Sequence, residues 1–278
     1  MTQSASQHIW NGIDLNELRE VMDQPADEAV GTLYKSASMT ELRNSLAEMA
    51  ANDSVAPEDL PPEMQSFVNQ ELNSTFSDED IKMFKKAHKA WREHGMNFCF
   101  ILFFRSLPFT YMAEKPANVL RISKLLITQP ERRILETAQF VFDVMDKNWW
   151  EADQRGILTA MKVRLLHAGI RHSILNDTEN PWNNNWGKPI SQEDLVATNQ
   201  TFSLEIIKGM AHMGKSLPAD EQEAWFHSWK RIGAIMGVEE RLLCSTMDEA
   251  WELQEAVYDH LFHDEPHSGI LLSEALVE

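Results

Sequence analysis

The sequence predicts an all-α fold: a single helical domain preceded by an acidic N-terminal helical extension. Three observations carry this reading. Helix-forming residues dominate and alternating β-branched runs are scarce. Capping signals stand directly ahead of apolar residues spaced for a helix. Eleven glycines in 278 residues leave little material for the Gly-rich turns of a nucleotide-binding α/β fold.

Taken in order, the chain opens with an acidic, mixed stretch to about residue 75, broken at Pro25, Pro57 and Pro61-Pro62. It holds two or three short helical patterns, among them Thr40 to Met49 with Thr40 as cap. Residues 1–76 are assigned to the extension and 77–278 to the domain. The domain begins with Ser77-Asp78-Glu79-Asp80, a capping box ahead of Ile81, Phe84, Ala87, His88 and Trp91. A second cap, Thr128 to Glu131 with Pro130 in the first turn, introduces Arg132 through Met145. After Trp149-Trp150 and a polar link comes the helix that carries His167. The stretch Asn180 to Ile190 is rich in breakers and reads as a loop whose Trp182 and Trp186 must pack somewhere. Ser191-Gln192-Glu193-Asp194 then starts a helix over Leu195 to Met213, and further helices run from about Ala219 to Met236 and from Met247 to Phe262.

Composition narrows the function classes. With 43% hydrophobic and 24% charged residues, the chain reads as an ordinary soluble globular protein. No apolar stretch reaches eighteen residues, so stable membrane insertion is not expected. The strongest apolar run, Asn97 to Phe104, reads as a buried segment, with Phe98 to Phe104 lining an apolar pocket. Met1 to His8 lacks the basic and apolar parts of a secretory signal, so a cytoplasmic location is expected. Cys99 and Cys244 are expected as two reduced thiols. A net charge of −18 disfavours nucleic acid as a partner and docking on an anionic membrane.

Three groups of residues carry candidate chemistry. In Lys162 to His172, a helix would place Arg164, His167 and Arg171 at i, i+3 and i+7 on one face. An imidazole between two guanidinium groups, flanked by Leu and Ile, suits haem: histidine on iron, arginines near the propionates, aliphatic groups against the ring. The alternative is that both arginines pair with carboxylates of this acidic chain. In the earlier helix Arg133, Glu136, Thr137 and Phe140 share one side, where an arginine and a threonine facing a cavity would donate hydrogen bonds to a bound oxygen species or a carbonyl. The alternative there is an intrahelical ion pair of Glu136 with Arg132 or Arg133. Finally, His260, His263 and His267 with Asp259 and Asp264 look metal-like, but Pro266 interrupts them and a solvated chain end is expected. Glu-x-x-His, Gly-x-Ser-x-Gly and Cys-x-x-Cys patterns do not occur.

Four segments in order resemble one family. They are Glu131-Arg132-Arg133 with Glu136 to Phe140, then Val163 to Arg171, then Trp186 to Leu195 with Thr198 and Phe202, then His227 to Val238. Together, over about residues 95 to 275, they resemble the haem-b oxygenase superfamily typified by bacterial latex-clearing protein and the membrane-bound oxygenase of mycophenolic acid biosynthesis. The resemblance implies an all-α fold with a globin-related core, haem b on one proximal histidine and dioxygen as co-substrate. His167 would be that histidine, and Arg133 and Thr137 would be the distal arginine and threonine. Glu136 stands where latex-clearing protein has a lysine, and Glu114 lies nearest to the region of that enzyme's catalytic glutamate. The expectation is therefore a haem-dependent oxygenase of a small lipophilic substrate, unsaturated ones included. A haem-binding sensor or carrier, or a helical binding protein without haem, are the alternatives.

Overall fold

The computed structural model describes residues 8–36, 60–123, 130–151, 155–262 and 265–277. The Thr40 to Met49 pattern, the Thr128 cap, His263 and Asp264 lie outside these residues. Ahead of the helices, Ile9–Trp10 (β1) and Ile13–Asp14 (β2) pair antiparallel across an Asn11-Gly12 turn. The Asn-Gly pair is a strong hairpin signal that the helical reading passed over. Leu15–Leu18 (α1), Gln24–Ser36 (α2) and Pro62–Leu72 (α3) follow.

The longest helix, Asp78–Ile101 (α4), starts where its capping box predicts: Ser77 Oγ accepts the Asp80 amide at 3.1 Å and Asp80 accepts the Ser77 amide at 3.0 Å. It runs into a π-helical turn, Leu102–Ser106, and then Leu107–Tyr111 (α5). Pro108 supplies the reason for the wide turn, because its ring has no N–H and would clash with the carbonyl four residues back. The Leu107 amide instead donates to Leu102 O, five residues earlier. Glu114–Ser123 (α6), Pro130–Val144 (α7) and Arg155–Leu175 (α8) come next. Gln192–His212 (α9) and Met247–Leu261 (α11) carry complete capping boxes at Ser191/Asp194 and Thr246/Glu249. Ala219–Ile235 (α10) lies between them and His267–Val277 (α12) ends the described chain. The fold is all-α, and no single helix among the described residues is long and apolar enough to cross a membrane.

One apolar core joins these elements. Trp225, Phe98 and Trp229 stack around α4, α9 and α10, with Phe98–Trp225 ring centroids 4.5 Å apart and Phe202–Trp229 5.0 Å apart. Phe84, fully buried, meets Trp149 at 4.9 Å; burying such a ring stabilises by about 1.5–3 kcal/mol. Leu15, Leu18, Ala26, Val30, Met64 and Val68 belong to the same core. The described part of residues 1–76 is thus built into the domain rather than appended to it.

Two expectations are corrected. The Asn97 to Phe104 run is not buried throughout: Phe98, Ile101 and Leu102 are inside, whereas Phe100 is 53% and Phe104 72% exposed. A helix turns 100° per residue, so the seven consecutive apolar residues Phe98 to Phe104 cannot all face one core. Of the C-terminal histidines, His267 is exposed as expected, but His260 is not. His260 is buried, with Nδ1 2.5 Å from Glu193 Oε1, and the chain resumes after Pro266 as α12.

Candidate functional site

Helices α7 and α8 form a hairpin whose closed end is fixed by Asp143. Its carboxylate accepts Thr159 Oγ1 at 2.8 Å and Gln139 Nε2 at 2.7 Å, and the Arg155 guanidinium approaches to 3.4 Å. Gly156 lets the two arms meet, since a Cβ there would stand 2.6 Å from both Trp149 Cβ and Trp149 O. From this tie Thr137 lies six residues back along α7 and His167 eight residues forward along α8. At 1.5 Å per residue these are heights of about 9 and about 12 Å, less than one helical turn apart. Both side chains are half-buried. The hairpin therefore brings a histidine and a threonine from separate sequence motifs to one level.

The other candidates are placed differently. Glu136 accepts Arg132 Nε at 2.8 Å along α7, the intrahelical pairing that was the alternative reading. For Arg133 the described structure gives the backbone position alone, one turn before Thr137. Arg164 and Arg171 are both held in ion pairs, though Arg171 Nη2 stays buried without a hydrogen-bond partner among the described residues. Arg164 binds Asp23 through two nitrogens, at 2.6 and 2.9 Å, donates to Ile235 O at 3.1 Å and lies over the Phe67 ring. Arg171, 1% exposed, donates from Nε to Asp27 Oδ1 at 2.7 Å. Asp27 of α2 and Asp23 just before it hold both guanidinium groups, which is the ion-pair alternative for this face. Gly237, at φ 91°, makes room for this pairing: a Cβ there would stand 2.3 Å from Asp23 Oδ2. Sequence reasoning missed Asp23 and Asp27, whose spacing of four residues was the available signal.

Neighbouring charges are used structurally. Glu114 accepts the Ser268 amide at 2.7 Å and the Ser268 hydroxyl at 2.8 Å, holding the start of α12 on α6. In the Ser191 segment, Arg19 is ion-paired with Asp194 and bonded to the Trp186 carbonyl, while Glu193 is paired with His260. Burial pushes the Glu193 carboxyl up despite His260 and Arg19, and it likewise pushes Asp27 up against the pull of Arg171. Cys99 and Cys244 are unpaired thiols, both raised by burial, Cys244 to about 11. Neither is a nucleophile at neutral pH.

Phe98, Cys99 and Leu102 line a small apolar void with Val141, Phe202 and Trp229, so part of the expected pocket segment does face inward. Among the described residues no cluster of three or more His, Cys, Asp or Glu side chains is set to hold a bare metal ion. A single imidazole such as His167 would suit a metal that brings its remaining ligands with it.

Comparison with known proteins agrees with this architecture. The chain is 23% identical over 267 residues to the rubber oxygenase of Streptomyces sp. (strain K30), covering 92% of this chain and 63% of that protein. It thus spans less than two thirds of that relative's length. A solved structure of latex clearing protein LCP in the closed state matches 96% of this chain and 70% of its own with a TM-score of 0.75, at 22% identity. The family described as ER-bound oxygenase mpaB/B′/rubber oxygenase, catalytic domain, matches residues 91–275, about two-thirds of the chain, and this protein belongs to it.

Proposed function

We propose that this protein is a haem-b-dependent oxygenase that uses dioxygen to oxidise a small lipophilic substrate. The observation that carries the reading is the hairpin that sets His167 level with Thr137 within the matched catalytic domain. Bound haem would supply the oxygen-activating chemistry.

The chain's own residues would do the rest. His167, in its neutral form, would hold the haem through one ring nitrogen. The Thr137 hydroxyl would donate a hydrogen bond to the bound substrate or dioxygen, and Arg133, one turn earlier in the chain, would add a cationic donor. Glu136, turned to Arg132, keeps its carboxylate charge compensated and leaves that side without the lysine of the rubber enzyme. Apolar groups around Phe98, Val141 and Phe202 would exclude water and favour a lipophilic substrate.

Oxygen uptake tests this. The haem-loaded protein is expected to consume dioxygen when given lipophilic alkenes, and His167→Ala to abolish uptake. The Glu136–Arg132 pair favours a second reading, a haem carrier or sensor, which predicts haem binding without uptake for any such substrate.

A further inference from the structure

The apolar run that fails to stay buried exposes an unusual face of α4. Lys82, Lys85, Lys89, Arg92, Met96, Phe100 and Phe104 succeed one another at steps of three and four, so they form one stripe along the helix and its π-turn. All seven are exposed, with Met96 at 86%, Phe100 at 53% and Phe104 at 72%. The Phe100 and Phe104 rings touch, 4.7 Å between centroids, so the apolar end is continuous. The stripe is cationic over its first half and apolar over its second.

Its neighbours leave most of that charge uncompensated. Lys89 is ion-paired with Glu93 and Glu221, each at 3.7 Å, whereas Lys82, Lys85 and Arg92 have no carboxylate partner among the described residues. Lys86, off the stripe, is the one neutralised at close range, by Asp220 at 2.7 Å. Lys215 donates to Asn97 Oδ1 at 3.1 Å and brings a further cation to the boundary beside Met96.

We propose that this stripe docks the protein obliquely on an anionic lipid surface. Segregation along the axis is the deciding feature. A helix lying flat on a bilayer separates polar and apolar residues around its circumference. Here the separation runs end to end, so the apolar end enters the acyl region while the lysines stay at phosphate level. Met96 to Phe104 spans about 12 Å of helix, matched to the roughly 5–10 Å that interfacial segments reach when tilted. With a net charge of −18, the remainder of the surface is repelled by anionic headgroups, which turns this stripe toward them. The whole-chain charge argues against broad docking on such membranes; α4 is the local exception. A second copy fits the stripe poorly. In a two-fold pairing, parallel stripes set lysine against lysine, and antiparallel ones press lysines onto Phe100 and Phe104.

Flotation of the full-length protein with phosphatidylcholine vesicles, with and without phosphatidylglycerol, tests the proposal without reference to haem. Binding at least tenfold stronger to the mixed vesicles is expected, weakening as salt is raised. Phe100→Ser with Phe104→Ser should reduce that binding at least tenfold. Lys82→Gln, Lys85→Gln and Arg92→Gln together should abolish the preference for anionic vesicles. All these positions are exposed, so circular dichroism should show unchanged melting. Ile270→Ser with Leu271→Ser, on α12, should bind like the parent. No flotation, equal flotation of the stripe variants, or equal loss in the α12 variant overturns the proposal. So does a dimer in sedimentation velocity that the phenylalanine variants dissolve while vesicles are ignored.

Discussion

Arg164 and Arg171 share a helix face with His167, yet their chemistry is settled by residues about 140 positions away. The Asp23 carboxylate takes Arg164 in a two-pronged pair, and Asp27 takes Arg171. Helical spacing made the face legible; nothing local to α8 reveals which anion completes it. Because Arg164 is buried, losing Asp23 strands a charge away from water. Asp23→Ala should cost about 3–5 kcal/mol in urea unfolding; a loss below about 1 kcal/mol would mean that the pair is solvated and dispensable. Glu136 illustrates the converse. Its partner Arg132 is four residues away on the same helix, so sequence alone named the pairing as an alternative.

Elements announced by local chemistry were the readable ones. The Ser77/Asp80, Ser191/Asp194 and Thr246/Glu249 boxes each start a helix where the side chains require it. The π-turn and α12 were not read, since one depends on how Pro108 is absorbed into a longer helix and the other on Glu114 meeting Ser268. At the start of α4, burial pushes the Asp80 carboxyl up, but the Ser77 hydroxyl, the His227 ring and the Ser77 amide together hold it below its ordinary value. A carboxyl lowered on folding stabilises above its unfolded pKa, about 3.9, and that contribution is lost as pH falls through the folded value. Ser77→Ala should therefore cost about 1 kcal/mol at neutral pH, with the gap from the parent narrowing in acid unfolding below about pH 4. A gap constant across pH would remove Asp80 from the account.

For the whole molecule, the all-α class followed from pattern alone, whereas the relation of the first 76 residues to the rest did not. Leu15, Leu18 and Val30 complete a core whose other walls are α4, α8, α9 and α10, and apolar pairing across such distances leaves no mark in local sequence. Packing α2 on α8 has a consequence for the site: Asp27 of α2 and Asp23 just before it occupy Arg171 and Arg164, which share a face of α8 with the half-buried His167. The candidate site was legible to the extent that two motifs lie on helices consecutive in the chain, separated by residues 145–154. The most direct test of the account is the absorption spectrum of the purified full-length chain, reconstituted with haem and recorded oxidised and reduced. The account predicts a Soret band that shifts on reduction and is lost, with the bound haem, in His167→Ala; absence of the band, or its persistence unchanged in that variant, would contradict it.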